Sequence, residues 1–399
     1  MSRQAALDEL IFALFNHDEM ITDVRFATGE PVRIRKGPSQ WQRLKDVDLG
    51  GCVFSDNNIT NGQIELLIRK AYNLGDDRAS GEAAMGSILA DLRKQALHPS
   101  IQIDGTVKGE ALSMRVRLAI TRSGMGQKIV VTVRGIPQAP ESTAAIGLPV
   151  VMRAFIRAKS GMIILCGQTG VGKSTTIAAC LAEINAEKSG HIITIEDPVE
   201  FLHEPNRSFF THREVGVDVA SFAEGVEDAL RAVPDVIMIG EIRNGETMAA
   251  ALRAGESGHL VFASLHSPNA TAALSKMRSF LPVAADQVAL ANNLICVVAQ
   301  ALVPDKRGQK ALVCEILDCQ EAVVREAVTD DGRMNDLDRK LRGKEINRSM
   351  AFVTALQRLV EADDVDPKVA ASVVHHKEDA AVLLGLEKGR ASGQSATRR

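Results

Sequence analysis

The first third of the chain alternates short apolar runs at helical and at strand spacing. Apolar side chains three and four residues apart predict helices over 7–14, Ile64–Tyr72 and Ala84–Ala96. Alternation of apolar and polar side chains predicts strands, the first two in a hairpin, at Val24–Phe26, Val32–Ile34, Leu112–Ile120 and Ile129–Val133. Residues 1–135 therefore predict a small mixed α/β domain, and the prolines that follow it predict a linker over 136–150.

After residue 150 the pattern changes to continuous apolar runs separated by segments with helical spacing. The runs predict strands at Met162–Cys166, His191–Ile195, Asp235–Ile239 and His259–Ser264. Helices are predicted between and after them at Ser174–Ala186, Phe222–Ala232, Thr247–Ala254 and Ala270–Phe280. Strands that are apolar on both faces and alternate with helices are typical of an α/β fold with a parallel sheet covered on both sides.

The last part of the chain is predicted to be mostly helical. Beyond Pro282 a single strand candidate lies at Ala311–Leu317. These patterns divide the chain after the linker into a core over 151–320, a helical region over 321–388 and a small, polar, basic tail over 389–399 that we expect to be disordered.

Composition narrows the class of protein. A hydrophobic share of 45% with 24% charged residues is that of a soluble globular protein. The net charge of −3, with one Trp and one Tyr, offers neither a whole-chain attraction to nucleic acid nor a base-stacking surface. No apolar run reaches the roughly 18 residues that span a bilayer, and the acidic Asp8 and Glu9 argue against a signal peptide. We therefore expect a cytoplasmic protein that reaches a membrane only through partners.

The six cysteines are scattered, which predicts reduced thiols rather than a disulfide framework. Cys314 and Cys319 form the only close pair. A zinc site needs a second such pair, so we expect these two side chains to be packed in the core.

The segment Gly161–Thr176, which reads GMIILCGQTGVGKSTT, carries the strongest functional signal. It places the pattern G-x-x-x-x-G-K-[ST] between a predicted strand and a predicted helix, as in a P-loop. Its glycines let backbone N–H groups face a phosphate, its lysine supplies a point charge, and its serine hydroxyl can bind Mg²⁺. This motif predicts ATP or GTP as ligand together with Mg²⁺, bound by Gly167, Gln168, Thr169, Gly170, Val171, Gly172, Lys173, Ser174 and Thr175.

Two further strands end in acidic side chains. Glu241 follows the apolar strand after Asp235, which is the form of a Walker B element, and we predict that it holds Mg²⁺ together with Ser174. Glu196 ends the preceding apolar strand, where a carboxylate can deprotonate water for attack on the γ-phosphate. Taken singly, each acid could be a helix cap or part of a solvated loop. Their occurrence together after a P-loop favours a catalytic pair.

The segments TIEDPVEF (Thr194–Phe201), PDVIMIGEIR (Pro234–Arg243) and SGHLVFASLH (Ser257–His266) resemble the Asp box, Walker B and His box of the pilus and secretion ATPase family. The resemblance covers roughly Arg115–Leu317. It implies a homo-hexameric ring of subunits with a PAS-like N-terminal domain and a RecA-like P-loop ATPase domain. By position, Glu196 resembles the catalytic glutamate, Glu241 the Walker B acid, and His259 the His-box residue near the γ-phosphate.

The same resemblance implies that arginines of the N-terminal domain reach the nucleotide. The matching positions are Arg115, Arg122 and Arg134. A guanidinium that closes on the γ-phosphate stabilises the charge that spreads over its oxygens. Without the resemblance, alternating arginines would be the solvated face of a strand. The role of His266 is likewise open between a packed polar side chain and a functional one.

Some positions depart from the family pattern. Val233 replaces the usual acid before the Walker B Pro-Asp, and Asn244 replaces an Asp after Arg243. Glu321–Asp330 only partly matches the arginine-rich helix of the retraction motors, whereas Thr28–Pro31 looks more like the conjugation and type IVB secretion branch. These features favour that branch over pilus retraction.

The sequence thus predicts a hexameric motor ATPase that powers secretion, conjugative transfer or pilus dynamics. Its expected partners are inner-membrane platform or secretion-channel proteins, with no specific nucleic-acid binding. One alternative is a nucleic-acid motor on the same RecA-like core. A GTPase switch is a further alternative, although the chain lacks an Asn-Lys-x-Asp guanine reader.

Overall fold

A computed structural model of the chain describes residues 10–386, except 17–20, 37–39, 45–58, 73, 75–77, 95, 98, 108–109, 124–127, 137 and 375. The chain divides into two compact units, Met1–Pro137 and Gln138–Arg399. Each unit has its own sheet and its own apolar core.

The N-terminal unit contains a six-stranded sheet with strand order β3-β2-β1-β6-β5-β4. Its elements are α1 (10–16), β1 (Ile21–Ala27), β2 (Arg33–Lys36), β3 (Gln42–Arg43), α2 (Asn61–Ala71), α3 (Arg78–Asp91), β4 (Ser100–Val107), β5 (Glu110–Ser123) and β6 (Lys128–Ile136). Every neighbouring pair of strands is antiparallel. The predicted hairpin and the two later strands are confirmed as β1, β2, β5 and β6.

Two predictions for the N-terminal unit need correction. The third helix spans Arg78–Asp91 rather than Ala84–Ala96, and strand β4 was not predicted. The start of the first predicted helix lies outside the described residues, as do Asp8, Glu9, Cys52 and the tail over 389–399.

The C-terminal unit is organised around a seven-stranded sheet with strand order β13-β12-β7-β11-β10-β8-β9. The elements up to strand β11 are α4 (Met152–Ile156), β7 (Gly161–Cys166), α5 (Lys173–Glu187), β8 (Gly190–Glu196), β9 (Ser208–Glu214), α6 (Phe222–Arg231), β10 (Val236–Ile239), α7 (Gly245–Glu256) and β11 (Leu260–Leu265). All these strands run parallel. The next element is α8 (Ala270–Phe280). The four predicted strands and four predicted helices of this region are thereby confirmed, with small shifts at their ends.

Alternate residues of the inner parallel strands enter two different cores. In β7, for example, Met162 and Ile164 pack into one core, whereas Ile163 and Leu165 pack into the other. Side chains of α4 and α5 complete the second core, and the later helices complete the first. This arrangement explains the continuous apolar runs, because strands covered on both faces need no polar side chains.

The remainder of the chain consists of α9 (Ala284–Asn293), β12 (Leu294–Pro304), β13 (Lys310–Asp318), α10 (Ala322–Thr329), α11 (Asp331–Arg342), α12 (Phe352–Glu361), α13 (Pro367–Val373) and α14 (Lys377–Leu383). The strand candidate near Ala311 is confirmed as β13. The prediction that this region is otherwise helical is wrong for β12, which lies beside β7 and is buried along most of its length.

The start of the C-terminal unit is packed rather than extended. Thr143, in the predicted linker, is buried and donates from both its backbone N–H and its hydroxyl to Glu183 of α5. This part of the predicted linker therefore packs against α5 and is grouped with the second unit.

The described cysteines are buried and unpaired, as predicted for Cys314 and Cys319. In the described part of the chain, no helix combines the length and the apolar character that crossing a bilayer requires.

Candidate functional site

The glycine-rich loop Gly167–Gly172 joins strand β7, which lies between β12 and β11, to the start of α5. Its glycines adopt positive φ angles of 148° at Gly167, 81° at Gly170 and 84° at Gly172. Side chains strain the backbone in this region of φ, so the sequence G-x-x-G-x-G permits a loop that other residues would resist. The conformation turns the chain sharply from the sheet into the helix.

Helix α5 begins without a side-chain cap. Its N-cap residue is Gly172, which carries no side-chain oxygen, whereas Ser221, Asn244 and Asn269 cap α6, α7 and α8. The first N–H groups of a helix need an acceptor, and an anion can supply it. The start of α5 is therefore suited to a phosphate group.

Lys173, the first residue of α5, lies folded back over the loop. Its Nζ donates hydrogen bonds of 3.0 Å to the carbonyl oxygens of both Gly167 and Gln168. Burial lowers the pKa of Lys173, and the negative charge of Glu241 opposes this shift. The lysine and the acid thus act on each other electrostatically within one site.

Glu196 is the last residue of β8, and its side chain is buried. Its Oε2 accepts a hydrogen bond of 3.0 Å from the backbone N–H of Glu200. Its Oε1 lies 3.7 Å from Nδ1 of His212 in the neighbouring strand β9. The chain turn after β8 therefore fixes the orientation of this carboxylate.

Glu241 lies two residues beyond β10 and contacts two basic side chains. Its Oε2 accepts from Nε of Arg243 at 2.8 Å, and its Oε1 lies 3.2 Å from Nε2 of His266. Arg243 also donates from Nη1 to Asp197 at 3.1 Å. The Arg243 guanidinium therefore links the acidic ends of β8 and β10.

These side chains line one cavity of about 590 Å³. Because β7, β8, β10 and β11 are parallel, their carboxyl ends lie at the same edge of the sheet. The lining residues are Thr169, Gly170, Gly172, Lys173, Ser174, Thr175, Glu196, Asp197, Pro198, Glu200, Phe222, Met238, Gly240, Glu241, Arg243, Ser264 and His266. The cavity falls within the usual size range of small-molecule sites.

The position of His259 contradicts its predicted role. It precedes β11, whose first residue pairs with Gly161 at the start of β7, whereas the glycine-rich loop follows the end of β7. The six residues of β11 separate His259 from His266, which places their backbones about 23 Å apart. Its Nδ1 instead lies 3.1 Å from the carbonyl oxygen of Ala254. The histidine of this segment that lines the cavity is His266.

The three predicted arginines belong to the N-terminal unit. Arg134 Nε donates to the buried carboxylate of Asp23 at 2.7 Å. Arg122 lies two residues after the core residue Ile120, and among the described residues its buried Nε has no hydrogen-bond partner. Arg115 lies opposite Ile136 in the β5–β6 pairing, and its side chain lies outside the described part of the structure.

The structure adds one residue that the sequence did not single out, Gln300, and shows a structural contact for Asn244, one of the departures from the family pattern. Gln300 of β12 is buried and donates from Nε2 to the carbonyl oxygen of Val171 at 2.7 Å, so it supports the glycine-rich loop. The continuous apolar run around Gln300 gave no functional signal. Asn244 caps α7 by accepting from the N–H of Thr247, which accounts for an amide at this position.

Comparison with known proteins places this architecture in a family. The family model described as Type II/IV secretion system protein matches residues 103–392. The Type IV pilus ATPase PilU of Pseudomonas aeruginosa is 35% identical over 246 residues, which are 60% of this chain and 63% of PilU. The alignment therefore spans less than two thirds of that relative.

Solved structures show the same fold. A crystal structure titled as the pilus retraction motor PilT with bound ADP matches with a TM-score of 0.72 and 26% identity, over 94% of this chain and 98% of PilT. The Legionella pneumophila ATPase DotB matches with a TM-score of 0.66 and 22% identity, over 92% of this chain and 94% of DotB. The chain belongs to the type II/IV secretion system protein family.

Proposed function

We propose that this chain is a motor ATPase, which binds and hydrolyses ATP to drive a pilus or secretion machine. The observation that carries the proposal is the single cavity that joins the glycine-rich loop to two acidic strand ends. Family membership supports it, because PilU is named an ATPase and the PilT structure contains ADP. On this proposal the loop is a P-loop within a RecA-like domain, and the N-terminal unit is PAS-like.

The loop and the start of α5 are the proposed phosphate site. The backbone N–H groups of Gly170–Thr175 would surround the β-phosphate, where the uncapped helix start favours an anion. Lys173 would leave the carbonyl oxygens that it contacts and bind the β- and γ-phosphates. The residues Gly167, Gln168 and Thr169 would hold the loop in its turn.

The donor set fits Mg²⁺ as the resident metal. Ser174 offers a hydroxyl and Glu241 a carboxylate, both at the wall of the cavity, and oxygen donors are those that Mg²⁺ prefers. A protein commonly supplies only one or two side chains to this ion and leaves the remaining positions to water and phosphate. When bound, Mg²⁺ neutralises charge on the β- and γ-phosphates.

Glu196 is the proposed general base. Its backbone hydrogen bond to Glu200 holds the carboxylate at the cavity wall, where it can accept a proton from the attacking water. Arg243 would keep Asp197 and Glu241 apart from this carboxylate by binding them both. His266, through Glu241, is the proposed sensor of the γ-phosphate side of the cavity.

The wider assembly is also part of the proposal. We infer a homo-hexamer at the cytoplasmic face of the inner membrane, bound to platform or secretion-channel proteins, in which Arg115, Arg122 or Arg134 contacts the γ-phosphate. The pilus relatives support pilus dynamics with sequence identity as well as fold, whereas DotB supports secretion by fold alone.

The test is ATP turnover by Glu196→Gln. We expect the variant to bind an ATP analogue with unchanged affinity and to lose at least about a hundredfold in kcat, the usual contribution of general-base catalysis. His259→Ala is the control, because it lies at the other edge of the sheet and should keep normal turnover. Near-normal hydrolysis by the Gln variant would remove Glu196 from this role.

A further inference from the structure

A histidine of β9 lies beside the proposed catalytic carboxylate. Strands β8 and β9 pair in parallel with Thr194 opposite His212 and Glu196 opposite Glu214. The Nδ1 atom of His212 is 2.8 Å from Oγ1 of Thr194 and 3.7 Å from Oε1 of Glu196. The imidazole therefore contacts the polar end of β8 from the adjacent strand.

The two oxygens of Glu196 have different surroundings. Oε2 accepts the backbone hydrogen bond from Glu200, which anchors the carboxylate. Oε1 is the oxygen that faces His212. Both side chains are largely buried, with 8% exposure for Glu196 and 14% for His212, so water screens their interaction weakly.

Of the two ring nitrogens of His212, Nδ1 is the one with a hydrogen-bond partner among the described residues. Its Nε2 is buried and has no hydrogen-bond partner among the residues that the structure describes. A neutral ring with its proton on Nε2 can only accept at Nδ1, and the Thr194 hydroxyl is placed to donate there. A protonated ring carries an N–H at Nδ1, for which the carboxylate of Glu196 is the charged acceptor in reach.

We propose that His212 is a proton-responsive positioning residue for Glu196, which leaves the carboxylate free for water when the imidazole is neutral and ties it down in an ion pair when the imidazole is protonated. The proposal rests on the role of Glu196 in ATP hydrolysis. It makes the turnover rate depend on pH, with a lower rate when the imidazole is protonated.

Two other titratable groups lie near His212 on the described elements, His203 and Glu214. Burial lowers the pKa of His203 to about 3, so this ring, which is stacked 6.0 Å from that of His212, stays neutral between pH 5.5 and pH 8.5. Glu214 is buried and lies two residues further along β9, opposite Glu196. Its Oε2 accepts a hydrogen bond from the N–H of Val199, in the turn after β8.

The experiment measures kcat and KM for ATP between pH 5.5 and pH 8.5. For the unaltered protein we expect kcat to fall severalfold as the pH is lowered across this range, because protonation of His212 would tie down the catalytic carboxylate. His212→Gln keeps a polar side chain of similar reach but cannot be protonated, so its kcat should fall less than about twofold. KM should not change, because the histidine does not line the nucleotide cavity.

The chain offers a matched control at the other end of the same two strands. His191 in β8 lies 2.9 Å from the hydroxyl of Thr211 in β9, which reproduces the cross-strand His–Thr contact. Five residues of strand, or about 16 Å, separate it from Glu196. His191→Gln should therefore show the same fall of kcat at low pH as the unaltered protein.

The outcomes separate this inference from the proposed function. If His212→Gln and the unaltered protein share one pH profile, or if His191→Gln changes the profile equally, the inference is overturned. If Glu196→Gln retains turnover, the proposed function fails instead. Thermal melting and binding of an ATP analogue show whether His212→Gln folds. If it does not, His212→Asn is a second variant without a titratable ring, and its pH profile is compared with those of the unaltered protein and His191→Gln in the same way.

Discussion

At Gly167 the backbone conformation and the available space both require glycine. The φ angle of 148° is one that residues with a side chain rarely adopt, and a Cβ atom there would lie 2.6 Å from the carbonyl oxygen of Gln300. Gln300 in turn donates to the carbonyl oxygen of Val171. The loop is therefore held between its own strand and β12, which explains how a glycine-rich segment can keep one conformation.

Substitution of Gly167 by Ala should weaken nucleotide binding. The Cβ atom would collide with the backbone of β12, which cannot move without disturbing the sheet, so we expect at least a tenfold loss of affinity, about 1.4 kcal/mol. Gly170→Ala is the matched control, because its φ of 81° is also positive but a Cβ atom there meets nothing within 4 Å. Isothermal titration with ADP compares the two. Equal losses of affinity in the two variants would show that backbone strain at positive φ, rather than the collision with β12, weakens binding.

The residues of the candidate site show how far single side chains could be predicted from the sequence. The motifs that carry Lys173, Glu196 and Glu241 predicted side chains that do line one cavity, because each follows the carboxyl end of a parallel strand. The His box contains two histidines, one at each end of β11, and the sequence does not state which end faces the loop. Strand direction relative to β7 decides this in favour of His266. Gln300 was unpredictable because its contact joins residues far apart in the chain.

At the scale of elements, the buried acid Glu315 of β13 connects the C-terminal helices to the site. Its Oε1 accepts a hydrogen bond of 2.8 Å from the N–H of Ala270, the first residue of α8, and α8 follows the loop that carries His266. Burial raises the pKa of Glu315 to about 7, whereas hydrogen bonds from the N–H groups of Ala270 and Phe352 oppose the shift. The start of α8 is thus fixed by a group that ionises near neutral pH.

The raised pKa of Glu315 predicts a stability that falls as pH rises. Between pH 4.5, near the usual glutamate pKa, and pH 7, the folded state holds a proton that the unfolded state has released, so the free energy of unfolding decreases over this range, by as much as about 3 kcal/mol. Glu315→Gln keeps an acceptor for Ala270 and removes the ionisation. Thermal melting should show the unaltered protein losing several degrees relative to the variant from pH 5 to pH 7.5.

The control for this series is the exposed Glu361→Gln, in α12. Its melting temperature should track that of the unaltered protein at every pH. A melting difference between Glu315→Gln and the unaltered protein that stays constant with pH would show that the buried acid does not ionise in this way.

Elements were predictable wherever periodicity was distinctive. The amphipathic helix α6 and the alternating strand β5 were found because one face of each is polar. Strand β12 was missed because its apolar run has no alternation, and a short continuous run fits a buried helix as well as a buried strand. Its pairing with β7 and β13 makes it a strand, and the local sequence does not reveal that pairing.

At the scale of the whole molecule, the proposal that an arginine of the N-terminal unit contacts the γ-phosphate has three candidates, Arg115, Arg122 and Arg134. Asp23 of β1 is buried and binds arginines from both flanking strands, Arg35 of β2 and Arg134 of β6. Arg134 thus contributes to the stability of its own unit. Arg122 differs, since strand alternation places it with the core residues Leu118 and Ile120, and its Nε lacks a partner among the described residues.

This difference predicts separate effects for two substitutions. Arg134→Ala leaves Asp23 with one arginine, so it should lower stability by about 1–3 kcal/mol, the usual cost of a lost buried hydrogen bond to a charge. Arg122→Ala removes a buried donor without a described partner and should leave the melting temperature unchanged. If Arg122 stabilises the γ-phosphate, the same variant should lose about a thousandfold in kcat, as for arginines that act in phosphoryl transfer.

Melting and turnover measured on the same preparations decide between these roles, and sedimentation with an ATP analogue checks that both variants still assemble. Arg122→Lys keeps the charge but not the planar guanidinium, so it should restore only part of kcat. The role would pass to Arg134 under two conditions. Arg122→Ala would have to keep normal turnover, and Arg134→Ala would have to lose more turnover than its loss of folded protein explains. Normal turnover by both would mean that neither arginine reaches the phosphate, and only Arg115 of the three would remain a candidate.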